Sequence, residues 1–486
     1  MEVGLKKKTV KGFGWSFAEN AITHGFRFIV GLVLARILSP HDFGLVGIAL
    51  IFVNILDALI DGGFTNAIIQ KKHPVENDYS TAFVTNLFIS CWLYVFIFMA
   101  APYIAKFFDE PSLKLLTRVI STILLIDALI FVPRTRLTKQ MNFKVQTKIS
   151  LASAVISAIV GIGMAYMGFG VWSLVGQQIT RHLVNSLLFL LLSKWSMSLN
   201  FSRRSFSSLF AFGSRLIISD FINSVYKQLY QVVIGKFYSP ATLGQYSRAN
   251  QFAELPSLTF SQMIQKVSFP ALASLQDQKD KLREAYRTLV KSTMFIEFII
   301  MFSLAAIAKP MILVLIGPKW LEAVPYLQIM CLYMALYPLH DINLNMLKVT
   351  KRSDLYLKIE IIKKFVGVIP LLLGIFIGIY WMLAGAVVEN IIAYILNSYY
   401  SRRFVGYSTA AQVRDILPSF MLASIVAAIA FSLQYLQLNI TAVFALQLIV
   451  IVALTFILSE LLKLESYMNV KDIVKEFISK SRKMNK

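Results

Sequence analysis

Apolar runs of about 20 residues recur along the whole chain, and a run of that length matches the hydrocarbon thickness of a bilayer crossed as helix. They show none of the ten-residue alternation of barrel strands, so helix is the only fold left for them. Bounded by charge or turn residues, the runs cover 12–37, 43–70, 79–104, 113–133, 149–168, 170–193, 207–235, 243–270, 290–316, 321–346, 359–380, 383–401, 416–436 and 441–462. Fourteen spans is the reading, with twelve as the rival count. Of the 486 residues 57% are hydrophobic and only 15% charged. Such a chain could not cover a water-facing surface, which excludes a soluble enzyme. Little is left over for any domain outside the membrane.

The net charge of +22 would suit nucleic acid, but the cations sit in short clusters between apolar runs. That is how membrane proteins fix their orientation. With the N-terminus in the cytoplasm, thirty-two Lys and Arg fall in cytoplasmic loops and tails and five on the far side. The asymmetry predicts an even number of spans with both termini inside. No cleavable signal peptide is expected, because Glu19, His24 and Arg27 interrupt the first run. The far-side loops are all short, the longest lying around Lys106 to Pro111. Beyond Leu464, Met468, Val470, Ile473, Val474, Phe477 and Ile478 recur at helical spacing among lysines. They predict an amphipathic helix on the inner leaflet, with a frayed basic tail as the alternative. Cys91 and Cys331 lie in apolar runs without metal spacing and read as buried thiols.

The chain repeats itself. Ser39-Pro40 followed by Phe43-Gly44 returns as Ser239-Pro240 followed by Leu243-Gly244, and Phe13-Gly14 returns as Phe212-Gly213. Each pair sits at the same place in its half. An offset of six spans keeps the orientation, so the halves are parallel repeats about an axis along the membrane normal, an arrangement that commonly holds a substrate path. The expected division is a six-helix bundle over 1–195, a second over 196–405, two additional spans over 406–465 and a basic tail over 466–486.

Ionisable groups within spans are costly in hydrocarbon and are functional candidates by default. They concentrate in the first two spans of each repeat. Asn20, His24 and Arg27 share one helix face, as do Asn54, Asp57, Asp61 and Thr65. In the second repeat, Asp220, Asn223, Lys227 and Gln231 repeat that spacing above Arg215, and Ser247, Gln251, Glu254, Ser261 and Gln265 follow, flanked by Arg248 and Lys266. The stripes predict a central hydrated cavity. Arg27, Arg215, Lys227 and Arg248 are the candidate cations for an anionic ligand such as phosphate. Asp57, Asp61, Asp220 and Glu254 would balance charge or bind a coupling ion. Asn20, His24, Asn54, Asn223, Gln231 and Gln251 are the candidate polar lining. The competing reading is that these groups pair and merely join helices, Arg27 with Asp57 or Asp61 and Asp220 with Lys227. Asp127, Arg181, His182, Glu297, Lys309, His340, Asp341 and Glu389 are scattered and read as interface or end-of-span groups. No phosphate-binding loop of the G-x-x-x-x-G-K-[ST] type, H-E-x-x-H motif or Cys/His cluster occurs, so neither a nucleotide-driven pump nor a metalloprotease is encoded.

Leu34-Ala35-Arg36-Ile37-Leu38-Ser39-Pro40 with Asp42-Phe43-Gly44 resembles the first outer turn of bacterial polysaccharide flippases, the lipid-linked oligosaccharide exporters of the O-antigen, colanic acid and teichuronic acid type. They belong to the multidrug/oligosaccharidyl-lipid/polysaccharide exporter superfamily. Asp61-Gly62-Gly63-Phe64 with Ala67 to Lys72 is similar to the end of that family's second helix, and Leu243 to Ala249 to its eighth. Phe269-Pro270-Ala271-Leu272, Leu282 to Tyr286, Gly317-Pro318-Lys319-Trp320 and Ala323-Val324-Pro325 also fit. The resemblance covers roughly 5–405 and is specific as an ensemble.

It implies two six-helix bundles around a central cavity, alternating access, and an inner-membrane location. The implied substrate is an undecaprenyl-pyrophosphate-linked repeat unit, moved from the inner to the outer leaflet for O-antigen, capsule or exopolysaccharide. No covalent chemistry and no cofactor are implied, beyond a proton or sodium ion as coupling ion. A polysaccharide polymerase and a chain-length regulator are the implied partners. The alternatives are a multidrug or cation antiporter of the same superfamily, which should need a net acidic cavity, and a membrane polymerase, which should need a large outer loop.

Overall fold

The structure, a computed structural model, describes residues 25–61, 63–193, 195, 198–350, 352–472 and 475. Helix is the only regular secondary structure among them. That follows from the sequence, since a peptide group in hydrocarbon finds its partner only within its own helix or in a closed barrel. The first helix, α1, is described over 25–37. It is followed by α2 (Pro40–Asp61), α3 (Phe64–Gln70), α4 (Glu76–Phe107), α5 (Leu113–Ile120), α6 (Thr122–Lys139), α7 (Phe143–Tyr166), α8 (Val171–Leu192) and α9 (Arg203–Phe237). Then come α10 (Pro240–Ser274), α11 (Lys279–Leu315), α12 (Ala323–Met334), α13 (Tyr337–Val349), α14 (Ser353–Val366), α15 (Val368–Phe376), α16 (Ile379–Tyr399), α17 (Ser401–Val405), α18 (Thr409–Ser432) and α19 (Ile440–Leu461). A last helix, α20, is described over 465–472. Among the described residues, nine helical stretches are long and apolar enough to cross a membrane. The chain is a multi-pass membrane protein.

Helix ends differ from the predicted span ends in two ways. Helix α11 starts at Lys279, about three turns before the predicted 290. Its Lys279, Lys281, Arg283 and Arg287, read as loop, lie on helix. Hydropathy marks the edge of the oil, whereas backbone hydrogen bonding continues past it. Conversely, the runs 113–133, 321–346 and 359–380 each hold two helices, broken at Ser121, at 335–336 and at Gly367. Continuous apolarity carries no record of such breaks. The runs 149–168 and 170–193 meet at Gly168-Phe169-Gly170, where both glycines have positive φ, 82° and 53°, which side chains strain to adopt.

The chain divides into two compact units, Met1–Gly244 and Gln245–Lys486. In the first, α9 packs along α2 and α3. The repeated Ser-Pro turn is visible there as a reciprocal contact. Gly44 lies against the carbonyl of Pro240, and Gly244 against the carbonyl of Pro40, each so close that a Cβ would collide with that oxygen. Gly63 and Gly213 meet backbone to backbone farther along the same helices. Small residues let membrane helices approach to this distance. The core of this unit gathers Phe64, Ile68, Phe83, Phe131, Trp195 and Leu209, with the Phe83 and Trp195 rings edge to face at 5.2 Å. Basic residues read only as orientation signals also build it. Lys139 Nζ caps the end of α3 by donating to the carbonyls of Ile68 (2.9 Å) and Ile69 (3.2 Å). Lys71 pairs with buried Asp78 at 2.7 Å, whose other bond accepts the Val75 amide at 2.9 Å.

The second unit is held by buried polar chains. Tyr286 donates to Asn343 at 2.6 Å, and Asn343 also bonds Gln412 and Ser401. These bonds tie α11, α13, α17 and α18 together. Arg287 grips Asp415 with two parallel bonds of 2.6 and 2.7 Å, and Tyr407 donates to the same carboxylate at 2.8 Å. The expected amphipathic tail is helical over 465–472, its later positions Ile473, Val474, Phe477 and Ile478 lying outside the described residues. Its described part docks on protein: Glu465 takes a 2.6 Å bond from Lys291, Ser466 meets Ser419 at 3.0 Å, and the Tyr467 ring contacts Phe295 and Phe456.

Candidate substrate site

Within the first unit a cavity of ≈ 230 Å³ opens between α1, α2, α6, α7 and α8. Three guanidiniums line it, from Arg27, Arg134 and Arg181, against two carboxylates, Asp57 and Asp127. His182, Gln146, Ser150, Ser153 and Asn185 complete the polar wall, and Ile60, Ile130, Phe131 and Phe189 the apolar one. The helical period explains part of this lining. Gln146, Ser150 and Ser153 recur at one-turn spacing and so share a face of α7, and Asp127 and Arg134 lie two turns apart on α6.

A hydrogen-bonded chain organises the wall. His182 Nδ1 lies 2.7 Å from Asp127 Oδ1, and Arg181 Nη2 lies 3.0 Å from His182 Nε2. A guanidinium can only donate, so Nε2 accepts and Nδ1 carries the proton that goes to the carboxylate. The imidazole is therefore neutral in this arrangement, and the lining holds three positive groups against two negative ones. A partly enclosed, net cationic wall attracts anions and focuses their field. Guanidinium forks match phosphate oxygens in pairs. The volume falls below the roughly 300–1,000 Å³ of drug-sized pockets. It suits a phosphate group and not a whole oligosaccharide.

Of the candidates read from the sequence, the structure brings Arg27 and Asp57 onto this cavity. Asn20 and His24 lie outside the described residues, as does the side chain of Asp61. Asn54 is exposed on α2, and its carbonyl accepts a 2.9 Å bond from Ser224 of α9. Arg215, Asp220 and Lys227 are exposed along α9, with Asn223 and Gln231 half-buried beside them. Asp220 and Lys227 form no ion pair among the described residues. In the second unit, Arg248 donates to Gln251 at 2.5 Å, and half-buried Glu254 follows one turn on.

Asp127, Arg181 and His182, read as scattered interface groups, belong to the cavity instead. Arg134, one residue beyond the predicted span 113–133, lines it as well. The signal that could have found three of them is depth. Asp127 and the Arg181-His182 pair each sit in the interior of an apolar run, where an ionisable group needs a buried partner or water. Weighting by position in the repeat concealed this.

Comparison with known proteins adds three findings. The profile of the family described as "Polysaccharide biosynthesis protein" matches residues 33–325. Among curated relatives, the succinoglycan biosynthesis transport protein ExoT of Rhizobium meliloti is 28% identical over 67% of this chain and 66% of its own, so the chain spans just under two thirds of that relative. The lipopolysaccharide biosynthesis protein WzxC of Escherichia coli is 26% identical over 76% of each chain. Among solved structures, the lipid II flippase MurJ in an inward closed conformation superposes with a TM-score of 0.74 at 16% identity, covering 93% of this chain and 98% of that one. An inward-facing multidrug resistance MATE family transporter of the MOP superfamily gives 0.60 at 16% identity, over 78% of this chain and 94% of that one. These likenesses show the fold.

Proposed function

The chain belongs to the polysaccharide biosynthesis protein family, and we propose that it carries an undecaprenyl-pyrophosphate-linked oligosaccharide repeat unit from the inner to the outer leaflet of the bacterial cytoplasmic membrane. It is a transporter and makes no covalent bond with its cargo. The observation that carries this reading is the cavity lined by Arg27, Arg134 and Arg181. A pyrophosphate cannot enter hydrocarbon bare, because an uncompensated charge there costs several kcal/mol. Guanidiniums take the place of the water it loses. The lipid tail stays in the bilayer while the head group is held by charge, and alternating access moves the site from one face to the other. A cation exporter would need the opposite sign, and three guanidiniums against two carboxylates disfavour it.

Both termini face the cytoplasm in this reading, as the distribution of Lys and Arg supports. A polymerase and a chain-length regulator receive the product outside. Deleting the gene tests the function: precursor should accumulate on the cytoplasmic leaflet, and surface polysaccharide should disappear. Single repeat units accumulating outside would instead indicate a polymerase.

A further inference from the structure

Helix α11 buries a carboxyl that the cavity does not use. Glu297 is 0% exposed, and neither of its oxygens has a hydrogen-bond partner among the described residues. Thr293, one turn away on the same face, is likewise buried with its hydroxyl unpartnered. The apolar side chains of Met294, Phe298 and Met301 flank it on α11. From α10 the Ser257 hydroxyl faces the carboxyl, yet its own bond goes to the Met334 carbonyl at 3.3 Å. From α12 the facing titratable group is the buried Cys331 thiol.

Charged groups on the packed helices are committed elsewhere. Asp341 of α13 bonds Ser261. Asp415 of α18 holds Arg287 and Lys291, and Lys291 also binds Glu465. Glu460 of α19 binds Lys471 and Tyr467. Glu254 of α10 has its own interaction.

An anionic carboxylate in such a place is strongly disfavoured, and a hydrophobic side chain of equal volume would hold the helix better. As structural glue, Glu297 is a poor choice. Intramembrane acids of this kind mark proton relays. A metal cation fits badly, since one carboxylate, one hydroxyl already spoken for and a soft thiol do not make an oxygen shell. We propose that Glu297 is the site at which this transporter binds its coupling proton. The group is neutral when α11 is packed as described, and it releases the proton when the unit opens to water. This inference rests on the transport reading and assigns its coupling ion as a proton, held outside the Arg27–Arg181 cavity.

Infrared difference spectra between acid and alkaline pH test it on purified protein in lipid vesicles, without cargo. A protonated-carboxyl band should titrate in the wild type and vanish in Glu297→Gln, while Glu297→Asp keeps a shifted band. In cells lacking the native gene, Glu297→Gln, a neutral isostere, should reach the membrane at wild-type level and lose surface polysaccharide. If Gln fails to accumulate, Glu297→Asp gives the cellular readout, and export retained with a shifted pH optimum is expected. No titrating band assigned to Glu297, full export by the Gln variant, or an unmoved pH optimum in the Asp variant overturns the proposal. A wild-type protein that supports no export, with the band still present, overturns the flippase reading instead.

Discussion

Arg181 shows how one side chain can set the state of its neighbours. Because it only donates, His182 must accept, and Asp127 receives the remaining proton bond. The charge of the wall then rests on the guanidiniums. Reversing Arg27 or Arg181 to Glu should abolish surface polysaccharide with protein still in the membrane; unchanged export would remove the cavity from the pathway. Arg181→Lys should cost about 1.5–3 kcal/mol of head-group binding, the worth of a charged hydrogen bond, since an ammonium lacks the fork that reaches His182 and a phosphate together. Export measured against precursor supply would reveal that loss as a raised requirement for substrate. These side chains were only partly legible beforehand. Arg27 and Asp57 stood out by helical spacing, whereas Asp127 on α6 and Arg181 on α8 are 54 residues apart in the chain. Nothing local couples two such positions.

Between elements, the contact of α2 with α9 and the start of α10 is the feature most exposed to single changes. A Cβ at Gly44 would strike the Pro240 carbonyl, and one at Gly244 the Pro40 carbonyl. Backbone oxygens cannot move aside as a flexible side chain can. Gly44→Val or Gly244→Val should therefore separate these helices, lowering both export and the melting temperature in detergent. The Gly163→Val control, at a glycine with open space around it, should leave both unchanged. Equal effects at all three positions would discard the close approach as the cause. The repeat made this contact partly visible, because a Ser-Pro pair followed four residues later by Gly recurs at an offset of 200 residues. Its reciprocity, each copy seated on the other, needed coordinates.

For the whole molecule, orientation is the testable quantity. Reporter fusions in the segment around Arg402 and Arg403 should signal from the cytoplasm, and an external signal would break the arrangement inferred from the distribution of cations. Helical membrane architecture was legible without coordinates because the bilayer is a strict solvent: a peptide group in oil has one economical solution, and 20-residue apolar runs advertise it. The fold comparison agrees with that reading. Helix breaks inside apolar runs, the seating of α20 on α11, α18 and α19, and the membership of the cavity were settled by packing. Hydropathy averages over a span and so is blind to direction around it. Which face of α6 meets which face of α8, and whether Glu297 finds a partner, depend on side chains far apart in the chain that fit together only once the helices have chosen their neighbours.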